Sequence, residues 1–214
     1  LHWDILSIFQ ELKYALARLN KNATYLSAGI DAWGADYGLI DRRGRLLGNV
    51  YHYRDSRTDH NEEKLLEKIP ARALFAMTAS DLKRHYTLAQ VYSQVISRDP
   101  LLTTADKLLL IPDLLNYLFT GSVTAEMTIA GTSQLLSSSG DSWNKTLLAL
   151  LEIPEKLFPA ITSPGTALGP IQRAYEIETG FSQLKFVSVS GHDTASATSV
   201  VDMDHTSTFV STGT

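Results

Sequence analysis

Lys185-Phe186-Val187-Ser188-Val189-Ser190, then Gly191-His192-Asp193-Thr194, then Ala195-Ser196-Ala197-Thr198-Ser199 is the stretch that decides the fold. Its first part predicts a strand, and the small-residue run predicts a helix whose slim surface allows close packing. A strand that passes through a polar turn into a helix is the repeating unit of an α/β chain. Ligands in open α/β sheets collect beyond the carboxyl ends of strands, near helix N-termini with free N–H groups. Asp193 therefore has two readings, a cap for the helix that follows or a carboxylate presented to a ligand.

A second segment has the same context. Tyr25-Leu26-Ser27-Ala28-Gly29-Ile30 predicts a buried strand delivering Asp31 at its end, and Asp31-Ala32-Trp33-Gly34-Ala35-Asp36 lies just beyond it. Trp33 is either a partly buried core aromatic or part of a ligand wall, and Gly34 could simply ease a strand bend. Trp33 to Ile40 predicts another strand, reversed by Asp41-Arg42-Arg43-Gly44-Arg45 into Leu46-Leu47. Upstream, Ile5, Ile8, Phe9, Leu12, Ala15, Leu16 and Leu19 recur at helical spacing, with Asp4 placed to cap a helix over about 4–20.

Residues 61–120 read as mainly helical, the last helix carrying Pro112 in its first turn and stopping at Gly121. A further helix is expected to start at Asp141 or Ser142 and to carry Leu147, Leu148 and Leu151. The prolines and glycines between 152 and 172 imply an ordered, extended connection anchored by Leu157, Phe158, Ile161 and Leu168. Ser207 to Ser211 predicts a closing strand. There is no internal repeat.

Composition excludes several function classes. The 214 residues are 44% hydrophobic and 20% charged, with a net charge of −4 and no basic stripe, which argues against nucleic acid as the main partner. No run approaches the roughly 18 apolar residues of a membrane span. The chain has no cysteine, so disulfides and thiolate metal sites are impossible and a reducing, cytoplasmic setting is expected. Six histidines lack a metal-binding i, i+4 pair. No Gly-x4-Gly-Lys-Ser/Thr loop, dinucleotide fingerprint or Gly-x-Ser-x-Gly elbow occurs. Ser211-Thr212-Gly213-Thr214 could form a turn that holds phosphate. The start at Leu1 and the stop at Thr214 read as an excerpt of a longer protein.

Five strings in order carry a resemblance: Gly29-Ile30-Asp31-Ala32-Trp33-Gly34-Ala35-Asp36-Tyr37, His52-Tyr53-Arg54-Asp55-Ser56-Arg57-Thr58, Pro112-Asp113-Leu114-Leu115-Asn116-Tyr117-Leu118, Thr132-Ser133-Gln134-Leu135-Leu136 and His192-Asp193-Thr194-Ala195-Ser196-Ala197. From about residue 25 to its end the chain resembles the FGGY carbohydrate kinases, and its second and fifth strings point to the branch acting on L-rhamnulose rather than to glycerol or xylulose kinases. The resemblance implies an actin-like, ribonuclease-H-like three-layer α/β domain with a mixed sheet, truncated at both ends. Residues 1–214 would be most of the N-terminal sugar-binding domain, without the first phosphate hairpin and the C-terminal nucleotide domain, and inactive alone. It further implies ATP with Mg2+ and a small sugar as partners, and transfer of the γ-phosphoryl to the 1-hydroxyl of L-rhamnulose.

Carried over by position, Asp193 is the catalytic base. Gly34, His192 and Thr194 are sugar contacts, with Trp33 lining the same site, and Gly213 and Thr214 touch ATP. Phosphoryl transfer asks a protein mainly for alignment and charge stabilisation, so a carboxylate that orients the hydroxyl and accepts its proton late is enough. Arg54-Asp55-Ser56-Arg57 either reaches the sugar or pairs internally to fix its loop. The family's mostly apolar stretch at 78–91 is replaced here by Ala79-Ser80-Asp81, Lys83-Arg84-His85 and Tyr86-Thr87-Leu88-Ala89-Gln90-Val91. That keeps open a kinase of another ketose such as L-fuculose or xylulose; a separate alternative is a non-catalytic sugar-binding relative, against which the presence of Asp193 speaks, since a binder needs no base there.

Overall fold

The computed structural model describes residues 1–19 and 23–210. β1 (His2–Trp3) leads into α1 (Ile5–Leu19), whose entry is closed by Asp4 accepting the Ser7 N–H at 3.0 Å and the Ser7 hydroxyl at 2.7 Å. These bonds satisfy donors that the first turn cannot pair internally. β2 (Ser27–Ala28) follows, then β3 (Tyr37–Ile40) and β4 (Val50–Tyr51), which pairs antiparallel with β1. The turn after β3 closes as expected: Asp41 N–H donates to Arg45 O at 2.9 Å and Leu47 N–H to Leu39 O at 2.7 Å.

The helical stretch comprises α2 (Asn61–Lys68), α3 (Ala71–Thr78), α4 (Thr87–Ile96) and α5 (Pro100–Thr104). It is interrupted by β5 (Lys107–Leu110) before α6 (Ile111–Thr120). β5 is a correction to the helical reading of 61–120. Four apolar residues give no period that separates strand from helix, and here the strand wins because it runs antiparallel beside β3, with Tyr37 opposite Leu110 and Ile40 opposite Lys107. Pro112 sits in the first turn of α6, and Gly121 ends it in the left-handed region at φ 78°.

Next come β6 (Ala125–Glu126), α7 (Met127–Gly131) and α8 (Lys145–Leu150). The cap of α8 is Asn144, which accepts the Leu147 N–H at 3.0 Å, so the helix begins later than Asp141 or Ser142. Those residues instead form a hydroxyl-rich turn in which Asp141 accepts from Ser139 and Ser142. β7 (Ile161–Thr162), β8 (Ala167–Pro170), α9 (Arg173–Thr179), β9 (Lys185–Val187) and α10 (Asp193–Thr198) complete the order.

β9 pairs parallel with β2 and antiparallel with β8, a mixed sheet. The predicted buried strand at Tyr25–Ile30 shrinks to β2. Leu26 is 81% exposed, because among the described residues β2 has a strand on one side only. The predicted strand at Trp33 to Ile40 likewise begins only at Tyr37, since Ala35 takes φ 71° and Asp36 N–H turns back to Gly34 O. Ser207 to Val210, the described part of the expected closing strand, is exposed and unpaired, and Asp204 draws the preceding backbone into a turn with Thr206 and Ser207.

β3 and β5 lie between two helical layers, and both strands are almost wholly buried. Tyr37, Leu39, Leu108 and Leu110 pack with Leu65, Leu88, Val91, Ile129 and Leu147 from α2, α4, α7 and α8. From the opposite face, Ile40 and Leu109 pack with Ile5, Phe9, Leu114, Phe119 and Phe186. Successive strand side chains alternate between the two cores, which accounts for an unbroken apolar run where a half-solvated strand would alternate with polar residues. Among the described residues no helix is long and apolar enough to cross a membrane.

Candidate active site

The two ligand-facing segments singled out by sequence meet at their turns. Ala32 and His192 form a parallel bridge: Ala32 N–H donates to Gly191 O at 2.9 Å, and Asp193 N–H donates to Ala32 O at 3.0 Å. His192 occupies the cap position of α10 without a side-chain capping bond, and Asp193 is the first helical residue. The Asp193 carboxylate is therefore not spent as the cap. Its Oδ1 accepts the Thr194 N–H at 2.5 Å and lies 3.5 Å from His192 Nε2, while Oδ2 accepts no bond among the described residues. The side chain is 58% exposed.

Asp193 opens into a cavity of about 740 Å³ that is also lined by Trp33, Gly34, His192 and Thr194, so the structure brings all five together. Gly213 and Thr214 lie outside the described residues. Further wall residues were not read from sequence, among them Tyr53, His85, Tyr86 and Thr132, which face the same space. Tyr53 and Thr132 lie inside strings that carried the resemblance, yet no spacing rule distinguishes them from neighbours. His85 and Tyr86 fall in the segment noted for departing from the family pattern.

A buried polar chain sets the position of Trp33. Its indole Nε1 donates to Asp36 Oδ2 at 3.0 Å, and Trp3 Nε1 donates to the same oxygen at 2.6 Å. The other oxygen of Asp36 accepts Gln90 Nε2 at 2.9 Å, and Gln90 Oε1 accepts Arg57 Nη2 at 2.7 Å. Asp36 is fully buried, so these bonds replace the water that a carboxylate would otherwise require. The two indole rings rest against each other at 4.5 Å.

Of the two readings of Arg54-Asp55-Ser56-Arg57, loop fixation describes Asp55 and Arg57. Asp55 accepts the Arg57 N–H at 3.0 Å. The Arg57 guanidinium lies 3.8 Å from the Tyr51 ring centroid. Neither residue lines the cavity, whereas Tyr53 on the same loop does.

Gly34 is required by a close approach. A Cβ there would stand 2.7 Å from Thr132 Oγ1 and 2.8 Å from Thr132 Cβ. Thr132 Oγ1 also accepts the Ala35 N–H at 3.2 Å and donates to Ile129 O at 2.7 Å, tying the turn to α7. Across the cavity, burial and then the charges of Lys83 and Arg84 push His85 below the ordinary histidine range, which favours a neutral ring at neutral pH. Its ring meets Tyr86 at 4.9 Å and Tyr53 at 6.1 Å, giving an aromatic, uncharged wall.

Among the described residues no three His, Asp or Glu side chains form a group that could hold a metal ion. Asp193 is a single carboxylate and by itself does not fit a magnesium site, which is oxygen-rich and octahedral.

Solved sugar kinases share this architecture. Gluconate kinase from Lactobacillus acidophilus aligns with a TM-score of 0.80 at 17% identity, over 89% of this chain and 39% of that one. Glycerol kinase from Plasmodium falciparum, solved with ADP, aligns with a TM-score of 0.80 at 15% identity, over 92% of this chain and 41% of that one. The fold is thus that of the actin-like sugar kinases. Residues 1–199 match the FGGY family of carbohydrate kinases, N-terminal domain, and the chain belongs to that family.

Among curated proteins it is 36% identical over 196 residues to a rhamnulokinase of Enterococcus faecalis, covering 91% of this chain and 39% of the relative. It is 30% identical over 215 residues to a rhamnulokinase of Bacteroides thetaiotaomicron, covering 100% of this chain and 44% of the relative. The chain therefore spans under half the length of these relatives.

Proposed function

We propose that this chain supplies the sugar-binding part of a cytoplasmic, ATP-dependent carbohydrate kinase that phosphorylates the 1-hydroxyl of L-rhamnulose. The observation that carries the reading is the placement of Asp193: an exposed carboxylate with one uncommitted oxygen, at the edge of a cavity large enough for a small sugar. In this reading the hydroxyl donates to Asp193 Oδ2. As its oxygen bonds to the γ-phosphorus of ATP and the bond to ADP breaks, the proton passes to the carboxylate. Gly34, His192, Thr194 and Trp33 would hold the sugar, and Gly213 with Thr214 would touch the nucleotide. Magnesium would supply charge neutralisation at the phosphates of ATP.

The choice of L-rhamnulose is supported by the two rhamnulokinase relatives and by the Tyr53-to-Arg57 and His192-to-Ala197 strings. A second reading, another ketose such as L-fuculose or xylulose, is favoured by one observation. The cavity wall formed by His85 and Tyr86 lies in the segment that departs from the family pattern. A coupled ADP-release assay of the intact enzyme across the three ketoses decides between them, and absence of turnover with L-rhamnulose removes the first. Asp193→Asn keeps the shape but cannot take the proton, so turnover is expected to fall by roughly 10²–10⁴-fold with sugar affinity little changed. Near-normal turnover would exclude Asp193 as the base. A sugar-binding relative without catalysis would show sugar binding by calorimetry and no ADP release with wild type.

A further inference from the structure

Beneath the turn that carries Asp193 lies a carboxylate that no part of the proposed mechanism uses. Glu126, at the end of β6, is 2% exposed and has no cationic partner among the described residues. A buried carboxylate is tolerated only when hydrogen bonds replace its hydration. Oε1 accepts the Thr128 N–H at 2.9 Å, and Oε2 accepts the Thr128 hydroxyl at 2.6 Å, the Ile129 N–H at 3.1 Å and the Gly191 N–H at 2.8 Å. Three of these donors belong to the first turn of α7, where Glu126 is the cap. The fourth comes from a residue 65 positions away in sequence, two before Asp193.

The adjacent backbone donor is held from the same place. His192 N–H donates to Thr128 Oγ1 at 3.2 Å, and that hydroxyl is itself oriented by its bond to Glu126. Two consecutive N–H groups, those of Gly191 and His192, thus land on a paired carboxylate and hydroxyl. The next N–H, that of Asp193, lands on Ala32 O. Helix capping alone needs no contact to Gly191 or His192. The backbone of Glu126 is itself fixed, its N–H donating to Asp113 Oδ1 on α6 at 3.1 Å.

We propose that Glu126 and Thr128 are positioning residues: by clamping the amides of Gly191 and His192 they hold the Asp193 carboxylate in register with the reacting hydroxyl. The inference rests on the reading of Asp193 as the base. Charge-assisted bonds to backbone N–H groups are the stronger class of hydrogen bond, and a displacement of about 1 Å at a reacting group can cost on the order of 10²-fold in rate.

The test uses the intact enzyme and two pairs of variants. Glu126→Met removes the acceptor, whereas Glu126→Gln retains one oxygen that can still receive the Gly191 N–H. Thr128→Val removes the hydroxyl, and Thr128→Ser restores it. The expected result is a fall in kcat of roughly 10- to 100-fold for the Met and Val variants, with KM for ATP little changed. The Gln and Ser variants should recover most of the loss. Should Glu126→Met not fold, the Thr128 pair carries the test.

A merely structural defect lowers the amount of active enzyme equally in any background, but a positioning defect has nothing left to misplace once the base is gone. The loss in kcat caused by Thr128→Val should therefore largely vanish when Asp193 is already Asn. An equal loss in both backgrounds overturns the inference. So does wild-type kcat in Glu126→Met and Thr128→Val while Asp193→Asn is inactive, a result that leaves the base in place. Near-normal turnover of Asp193→Asn removes the base, and the clamp's catalytic role with it.

Discussion

Replacing Asp113 with asparagine is expected to make the protein progressively more stable, relative to wild type, as pH rises. Asp113 is 3% exposed in the first turn of α6; Oδ1 accepts the Glu126 N–H, and Oδ2 is buried without a hydrogen-bond partner among the described residues. Burial, and secondarily the charge of Glu126, holds its carboxyl well above the ordinary aspartate value of 3.8, against the lowering effect of the Glu126 N–H. In the unfolded chain the group ionises near its ordinary value. Between that value and the raised one, the folded state carries one proton more than the unfolded state.

The contribution of Asp113 is thus fully present at acid pH and declines by about 1.4 kcal/mol per pH unit until the folded-state group itself ionises. Asparagine keeps an oxygen for the Glu126 N–H, carries no charge and has no such slope. Denaturant unfolding of both proteins at fixed ionic strength, over a series of pH values rising from the ordinary aspartate value, should show the stability difference moving toward the variant at up to about 1.4 kcal/mol per unit. In thermal scans this is roughly 3–6 °C per unit for a domain of this size. A difference that stays flat with pH, or one that moves toward wild type, would refute the reasoning. The second result would mean that the fold prefers Asp113 as a carboxylate.

Other perturbations follow from the same geometry. Gly34→Ala must displace the Thr132 side chain and strain the Ala35 N–H bond; a cost of about 1–3 kcal/mol in denaturant unfolding and weaker sugar binding by calorimetry are expected. Gln90→Leu cuts the chain from Arg57 to Asp36, with an expected loss of about 1–3 kcal/mol and a changed tryptophan emission spectrum, since Asp36 holds both Trp3 and Trp33. Lys13 lies 8% exposed, with its ammonium near the rings of Phe9 and Tyr175. Lys13→Ala should cost about 2 kcal/mol at roughly 0.8 per buried CH₂, and Lys13→Met much less, by thermal unfolding.

Local chemistry made much of the framework legible. α1 follows from seven apolar residues at helical spacing behind Asp4, and α6 is bracketed by Pro112 and Gly121, each acting through its own backbone geometry. The turn after β3 was readable because Asp41, Gly44 and Arg45 carry turn chemistry within five residues. β5 was not, since a strand buried on both faces shows no alternation, and what makes Lys107–Leu110 extended is its partner β3 far away in sequence. The exposure of Leu26 is likewise a property of neighbours, which local pattern does not encode.

At the site, Asp193 and Trp33 were visible as candidates because each follows a strand. The polar chain Arg57–Gln90–Asp36 was not, since its members come from three separate segments. Thr132 became meaningful only once Gly34 was seen against it.

α10 buries none of its residues, yet its first residue is the proposed base. What anchors that residue lies at one end: the bridge to Ala32 and the amides of Gly191 and His192. The helix is therefore a cantilever, clamped at its root and with no fully buried residue along its span. A load on the free end of such an element is felt most at its root, so whatever packs against the outer span of α10 bears directly on the aim of the carboxylate.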